Sequence, residues 1–221
     1  MPPPCNYTVT GTAGMSARLF LLSPASCSGN RARLLLAPSS TLGLAQQLRS
    51  PGGVALGDAF SFISQLYFRG KLAYARAFAR PPALPPPSPA ADGVLVITTS
   101  RGLLPCDAPA THDTLREFAS VELSAGNEAY RGPLERCARA IAGHLRNEDE
   151  VVLLGSIATD KYVRVLTDVL GDRLLFPRDF VGRGDMSRGG LLLRCVREGR
   201  ELDYIPVVGG PRHGARPPKL L

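Results

Sequence analysis

The sequence predicts a single α/β domain, a Rossmann-like three-layer α/β/α sandwich, on two observations. Three short strand candidates at 18–22, 94–97 and 151–154, apolar throughout but for Arg18 at the head of the first, have the character of strands buried on both faces. Between and after them lie stretches whose apolar residues recur at helical spacing. A mainly parallel sheet of about four or five strands, covered by helices on both sides, is the architecture that buries such runs. A chain of 221 residues has room for one domain of this kind with a sizeable core. Its body is expected over 17–208, between a disordered N-terminal tail (1–16) and a disordered basic tail (209–221). Met15 reads as a second plausible start.

The run at 18–22 leads into Ser23-Pro-Ala-Ser-Cys-Ser-Gly-Asn-Arg31, a loop of small and hydroxyl residues. Residues 34–53 look irregular, with a short helical segment at 42–48. The longest helix is expected over 57–80, where Leu56, Phe60, Ile63, Tyr67, Tyr74 and Phe78 form an apolar stripe. Gly70 should weaken it by about 1 kcal/mol relative to Ala unless another backbone approaches there. Arg69, Lys71, Arg76 and Arg80 crowd its latter half, either as a solvated face or as a phosphate-tracking one. A proline-rich linker follows at 81–92, too stiff for a helix or sheet interior.

The strand at 94–97 ends in a second hydroxyl-rich loop carrying Ser100 and Arg101. A loop with Asp107 and His112 comes next, then helices near 114–123 and 133–145. The strand at 151–154 closes on Gly155-Ser156, and Ser156 or Thr159 caps a helix that Gly171 stops. A fourth strand is expected at 173–176. The Gly/Arg/Asp segment 177–190 reads as a loop, with 182–190 a flap, and 191–196 with 202–207 as a terminal β-hairpin.

Composition narrows the chemistry. The formal charge of +7 favours an anionic partner such as a nucleotide or nucleic acid. Five scattered cysteines with no CxxC spacing point to a reduced, cytoplasmic protein without a disulfide framework or zinc knuckle. Three histidines without a paired motif argue against a dedicated metal site, and no cofactor-binding motif is present. No apolar run reaches the length of a membrane span. The GxxxxGK[ST] phosphate loop and the GxSxG nucleophile elbow are also absent.

Parallel strands joined by right-handed crossovers bring their carboxyl-end loops to one sheet edge, where ligands bind. The expected binding set is therefore Ser26, Cys27, Ser28, Ser100, Arg101, Ser156 and Lys161, with Arg183 and Arg188 closing over it from the flap. Asp107, His112 and Asp185 are the candidates for acid–base work, although such carboxylates equally serve to pair with neighbouring arginines. The alternative function is a non-catalytic module recognising nucleic acid or protein.

The motif order strand–Ser-Pro-Ala-Ser-Cys-Ser, Leu66-Tyr-Phe-Arg-Gly-Lys-Leu-Ala-Tyr-Ala-Arg76, Ile97-Thr-Thr-Ser-Arg-Gly-Leu-Leu-Pro105 and Leu153-Leu-Gly-Ser…Tyr162 resembles a family of uncharacterised bacterial domains. Those domains are similar to the uracil-DNA-glycosylase-like α/β/α fold and accompany tRNA-guanine-transglycosylase-like enzymes of 7-deazaguanine modification. The resemblance runs over roughly residues 18–193 and implies that fold, with a nucleobase or nucleic acid as ligand. Here Ser-Gly-Asn replaces the family's lysine-bearing loop, and the proline linker is extra. The glycosylase motifs Gly-Gln-Asp-Pro and His-Pro-Ser-Pro are missing, so the resemblance implies the fold and not glycosylase catalysis.

Overall fold

The computed structural model describes residues 16–82 and 90–215. The first half of the chain runs β1 (Arg18–Leu22), α1 (Asn30–Leu36), α2 (Gly43–Leu48), β2 (Val54–Ala55) and α3 (Leu56–Phe78). There follow β3 (Val94–Ile97), β4 (Leu103–Pro105), β5 (Pro109–Ala110), α4 (His112–Ser120) and α5 (Glu128–Ala142). The chain continues with β6 (Glu150–Leu154), α6 (Asp160–Leu170), β7 (Leu174–Pro177), α7 (Asp185–Glu198) and β8 (Tyr204–Pro206).

The three apolar runs lie side by side. Phe20 sits opposite Val94 on one side and Val152 on the other, and Leu22 opposite Val96 and Leu154, all in parallel register. With β7 they make four parallel strands inside a six-stranded sheet of order β4-β3-β1-β6-β7-β8, whose two edge strands are antiparallel. Alternate side chains leave on opposite faces, which is why such runs are apolar throughout. Phe20, Leu22, Val96 and Leu154 join a core with residues of α1, α2, α3, α4 and α7. Leu19, Leu21, Ile97 and Leu153 join a second core with α5 and α6. The molecule is thus a three-layer α/β/α sandwich. Its main sheet has six strands where four or five were expected.

The longest helix carries two features that aim the site. At Gln65 the backbone leaves the helical region (φ 50°, ψ −127°), so α3 is two helical pieces set at a kink. Past the kink, Gly70 meets Gly189 of α7. A β-carbon on Gly70 would lie 2.7 Å from the Gly189 carbonyl oxygen, and one on Gly189 would lie 2.7 Å from that of Leu66. This is the close backbone approach that the glycine at position 70 called for.

The C-terminal region differs from expectation in detail. Residues 182–190 are not a flap, since Asp185 opens α7 and Gly184 occupies its N-cap position. Residues 191–196 are helical and not a hairpin strand. The terminal antiparallel pair is instead β7 with β8, Phe176 lying opposite Ile205. Leu191, Leu192 and Cys195 are buried at helical spacing, and Gly199 ends the helix in a left-handed conformation (φ 60°). Most of the proline linker (83–89), most of the expected N-terminal tail (1–15) and the end of the expected basic tail (216–221) lie outside the described residues. Within the basic tail, Arg212 pairs with Asp160 at 2.6 Å. No helix among the described residues is long and apolar enough to cross a membrane.

Candidate functional site

β1 and β6 are neighbours, and the chain leaves β1 for β3 on one side and β6 for β7 on the other. That makes the carboxyl end of the β1–β6 seam the topological switch point, where open α/β sheets take their ligands. Ser23 extends the seam, its N–H donating to the Leu154 carbonyl at 3.1 Å.

Side chains from both helical layers meet over Ser23. From α3, Lys71 Nζ donates to the Ser23 carbonyl at 2.6 Å and to Ser23 Oγ at 2.9 Å. The same nitrogen lies 4.6 Å from the Tyr67 ring centroid and 4.7 Å from that of Phe68. Lys71 is only 1% exposed. Burial lowers its pKa from 10.5 to about 7, with nearby Asp185 raising it and Arg188 lowering it further. From α6 on the opposite face, the Tyr162 hydroxyl donates to the Ser156 carbonyl at 2.9 Å and lies next to the Ser23 side chain. Gly155 permits this approach, because a β-carbon there would come 2.8 Å from the Tyr162 hydroxyl and 2.9 Å from Ser23 Cβ.

Behind the kink, the Tyr67 hydroxyl is buried, with no acceptor for its proton among the described residues. The Arg188 guanidinium of α7 lies beside it and opposes the upward shift that burial imposes on the phenol. Burial drives the Tyr67 phenol strongly upward, so it stays protonated. Arg188 donates through Nε and a terminal nitrogen to the Phe180 carbonyl at 3.2 and 3.0 Å, and sits 3.6 Å from Asp185.

Beside this cluster a cleft of about 550 Å³ opens along the crest, walled by the 24–28 loop, Thr99, residues 118–123 and Lys161. Four expected residues therefore converge: Ser26, Cys27, Ser28 and Lys161. Ser26 and Ser28 are exposed with their hydroxyls 3.2 Å apart. Cys27 is buried, its thiol pushed up to about 12 by desolvation, which makes it a packing residue rather than a nucleophile.

The remaining expectations fare differently. Ser100 and Arg101 are both engaged with Glu117 of α4, at 2.5 Å from Ser100 Oγ and 3.0 Å from Arg101 Nε. The Arg101 hydrogen bond holds the Glu117 carboxyl below its usual range. Ser156 caps its own loop, its Oγ accepting from the Ala158 N–H at 3.4 Å. Arg183 turns to its own segment, donating to the Asp179 carbonyl at 2.8 Å and to Ser187 at 3.3 Å. Asp185 and Arg188 reach the cluster as parts of a helix and not of a flap.

Asp107 is misplaced by the sequence reading. β4 runs back along β3, with Ile97 opposite Leu103 and Leu95 opposite Pro105, so Asp107 falls toward the amino edge of the sheet. His112 is held 3.2 Å from the Leu36 carbonyl, at the end of α1, and lies on neither the cluster nor the crest cleft. Of the basic group expected on the long helix, Arg69 and Arg76 are exposed seven residues apart, on one face, and Lys71 is not part of it. Lys71 is buried, Arg80 pairs with Glu150 at 3.8 Å, and Arg76 contacts Cys106 Sγ at 3.5 Å.

Ser23, Tyr67, Lys71 and Tyr162 were not among the expected site residues. One signal was legible: Lys71 falls in register within the apolar stripe of α3, four residues after Tyr67 and three before Tyr74. A lysine on a core-facing stripe is either paired or functional. Fold and geometry together define an α/β sandwich with a cation-floored polar site at its switch point. No family model matches the chain, and no curated protein or solved structure matches it.

Proposed function

We propose that this protein binds a nucleotide, nucleobase or nucleic-acid component at the carboxyl edge of its sheet, as a base-modification or repair enzyme would. The observation that carries this reading is the crest cleft. It has an apolar flank from Ala119, Val121 and Leu123, hydroxyls from Ser26, Ser28 and Ser120, and the ammonium of Lys161. A planar base suits the apolar flank, while hydroxyls and a cation suit its polar edges and its phosphate. The resemblance to uracil-DNA-glycosylase-like domains points toward the same ligand class. Because the glycosylase loops are missing, no glycosylase step belongs to the proposal.

Calorimetric titration with a nucleoside, the matching nucleoside monophosphate and a short single-stranded oligonucleotide tests it. At least one should bind to the wild-type protein, and Ser26→Trp, which fills the cleft from an exposed position, should abolish that binding with the melting temperature retained. Unchanged affinity in Ser26→Trp would remove the cleft from consideration.

A further inference from the structure

We infer that Ser23, Tyr67, Lys71, Tyr162 and Arg188 form an oxyanion subsite at the switch point, built for the phosphate or carboxylate of a bound ligand. The inference rests on the crest being the binding edge, and it adds which ligand group is recognised and by what. It uses residues that do not line the crest cleft.

The first support is the balance of donors and acceptors. Two cationic side chains and three hydroxyls meet here, the Tyr162 proton going to the Ser156 carbonyl, and the carboxylate beside them, Asp185, is itself mostly exposed and 3.6 Å from Arg188. The hydrogen-bond acceptors of Lys71 among the described residues are the neutral carbonyl and hydroxyl of Ser23. A buried ammonium held only by neutral groups is costly, and an apolar residue of similar volume would pack with less penalty. Asp185 acts on Lys71 only through space, and an arriving anion would supply a counter-charge hydrogen-bonded to it.

The second support is independent of charge. The Tyr67 hydroxyl is buried and its hydrogen finds no acceptor among the described residues. Native interiors rarely leave a hydroxyl in that state, and a phenylalanine would fill the same space without the loss. The hydroxyl lies beside the Arg188 guanidinium on one side, and its own ring packs against the Lys71 ammonium. An oxyanion accepting from Tyr67 would therefore sit between two cations.

Tyr67→Phe is the decisive variant, since it removes one oxygen and leaves the packing in place. Its melting temperature should equal or exceed that of the wild-type protein. Its affinity for inorganic phosphate and for a nucleoside monophosphate should fall about tenfold, the loss expected for one charge-assisted hydrogen bond. Affinity for the unphosphorylated nucleoside should not change. Acetate binding that weakens in parallel with phosphate would assign the site to oxyanions in general, and phosphate-only weakening would assign it to phosphate esters.

If Tyr67→Phe binds phosphate and acetate as the wild-type protein does, the subsite is overturned. Should Ser26→Trp at the same time lose the nucleoside, the cleft reading survives alone. Absence of binding of every probe to the wild-type protein at about 10 mM would overturn both.

Discussion

Lys71 is the residue whose physics reaches furthest through this molecule. Its pKa falls from 10.5 to about 7 because burial disfavours the ammonium, so between those values the unfolded chain holds a proton that the folded chain has given up. Folding stability should therefore rise as pH climbs above about 7, by up to about 1.4 kcal/mol per pH unit, and the penalty should be fully present below that. Ser23, Tyr67, Phe68, Arg188 and Asp185 are the groups that face it, and Tyr162 lies beside Ser23. Cys27 acts in the opposite sense at higher pH. Its thiol is raised from 9.0 to about 12, so the stability it contributes is lost as pH rises through that interval. Urea midpoints measured from about pH 7 to 9 isolate the lysine. The wild-type midpoint should increase across that range, while Lys71→Met should start higher and stay flat. A wild-type profile with no rise would mean that Lys71 keeps its proton, held by its neighbours more strongly than burial opposes.

At the level of elements, the pairing of α3 with α7 brings Tyr67, Lys71 and Arg188 together, and glycines decide how close the two helices come. Gly189 faces the backbone of Leu66 and Tyr67 with no room for a methyl group, whereas nothing lies within 4 Å of a β-carbon at Gly190. Adjacent residues of one helix should consequently respond with opposite signs. Gly189→Ala should destabilise by about 1–3 kcal/mol through forced separation of the helices. Gly190→Ala should stabilise by up to about 1 kcal/mol through helix propensity. Thermal melts of the two variants check both, and equal effects would show that the contact is loose. The α3 half of this pairing was legible, because six apolar positions at helical spacing admit no other reading. The α7 half was not. Leu191-Leu192-Leu193 suits a buried strand as well as a helix, and the glycines before it looked like loop when two of them lie within the helix.

At the scale of the whole molecule, two cores share one sheet, and β1 and β6 are the strands covered on both faces at its centre. Hydrogen exchange should find the amides of Leu19–Leu22 and Val151–Leu154 slowest, opening only with global unfolding. α1 and α2, of seven and six residues with no side-chain cap hydrogen bond, should exchange first. Fast exchange in β1 would show that the sheet centre opens independently of its edges. The same topology sets the site, since Lys71 descends from one helical layer and Tyr162 from the other onto a single serine between them.

The sequence by itself determined the class of fold, the four parallel strands, the ends of α6 and the convergence of Ser26, Cys27, Ser28 and Lys161. These follow from local rules: an apolar run, a helical period or a glycine stop depends on residues near one another in the chain. Only the tertiary structure decided that Asp107 falls toward the opposite edge, that His112 lies apart from the site, that residues 182–190 begin a helix, and that a supposedly surface lysine is buried against Ser23. Periodicity shows which face of an element is apolar but not which element that face will meet. Ser23 and Lys71, separated by 48 positions, become neighbours only through the packing of α3 over β1.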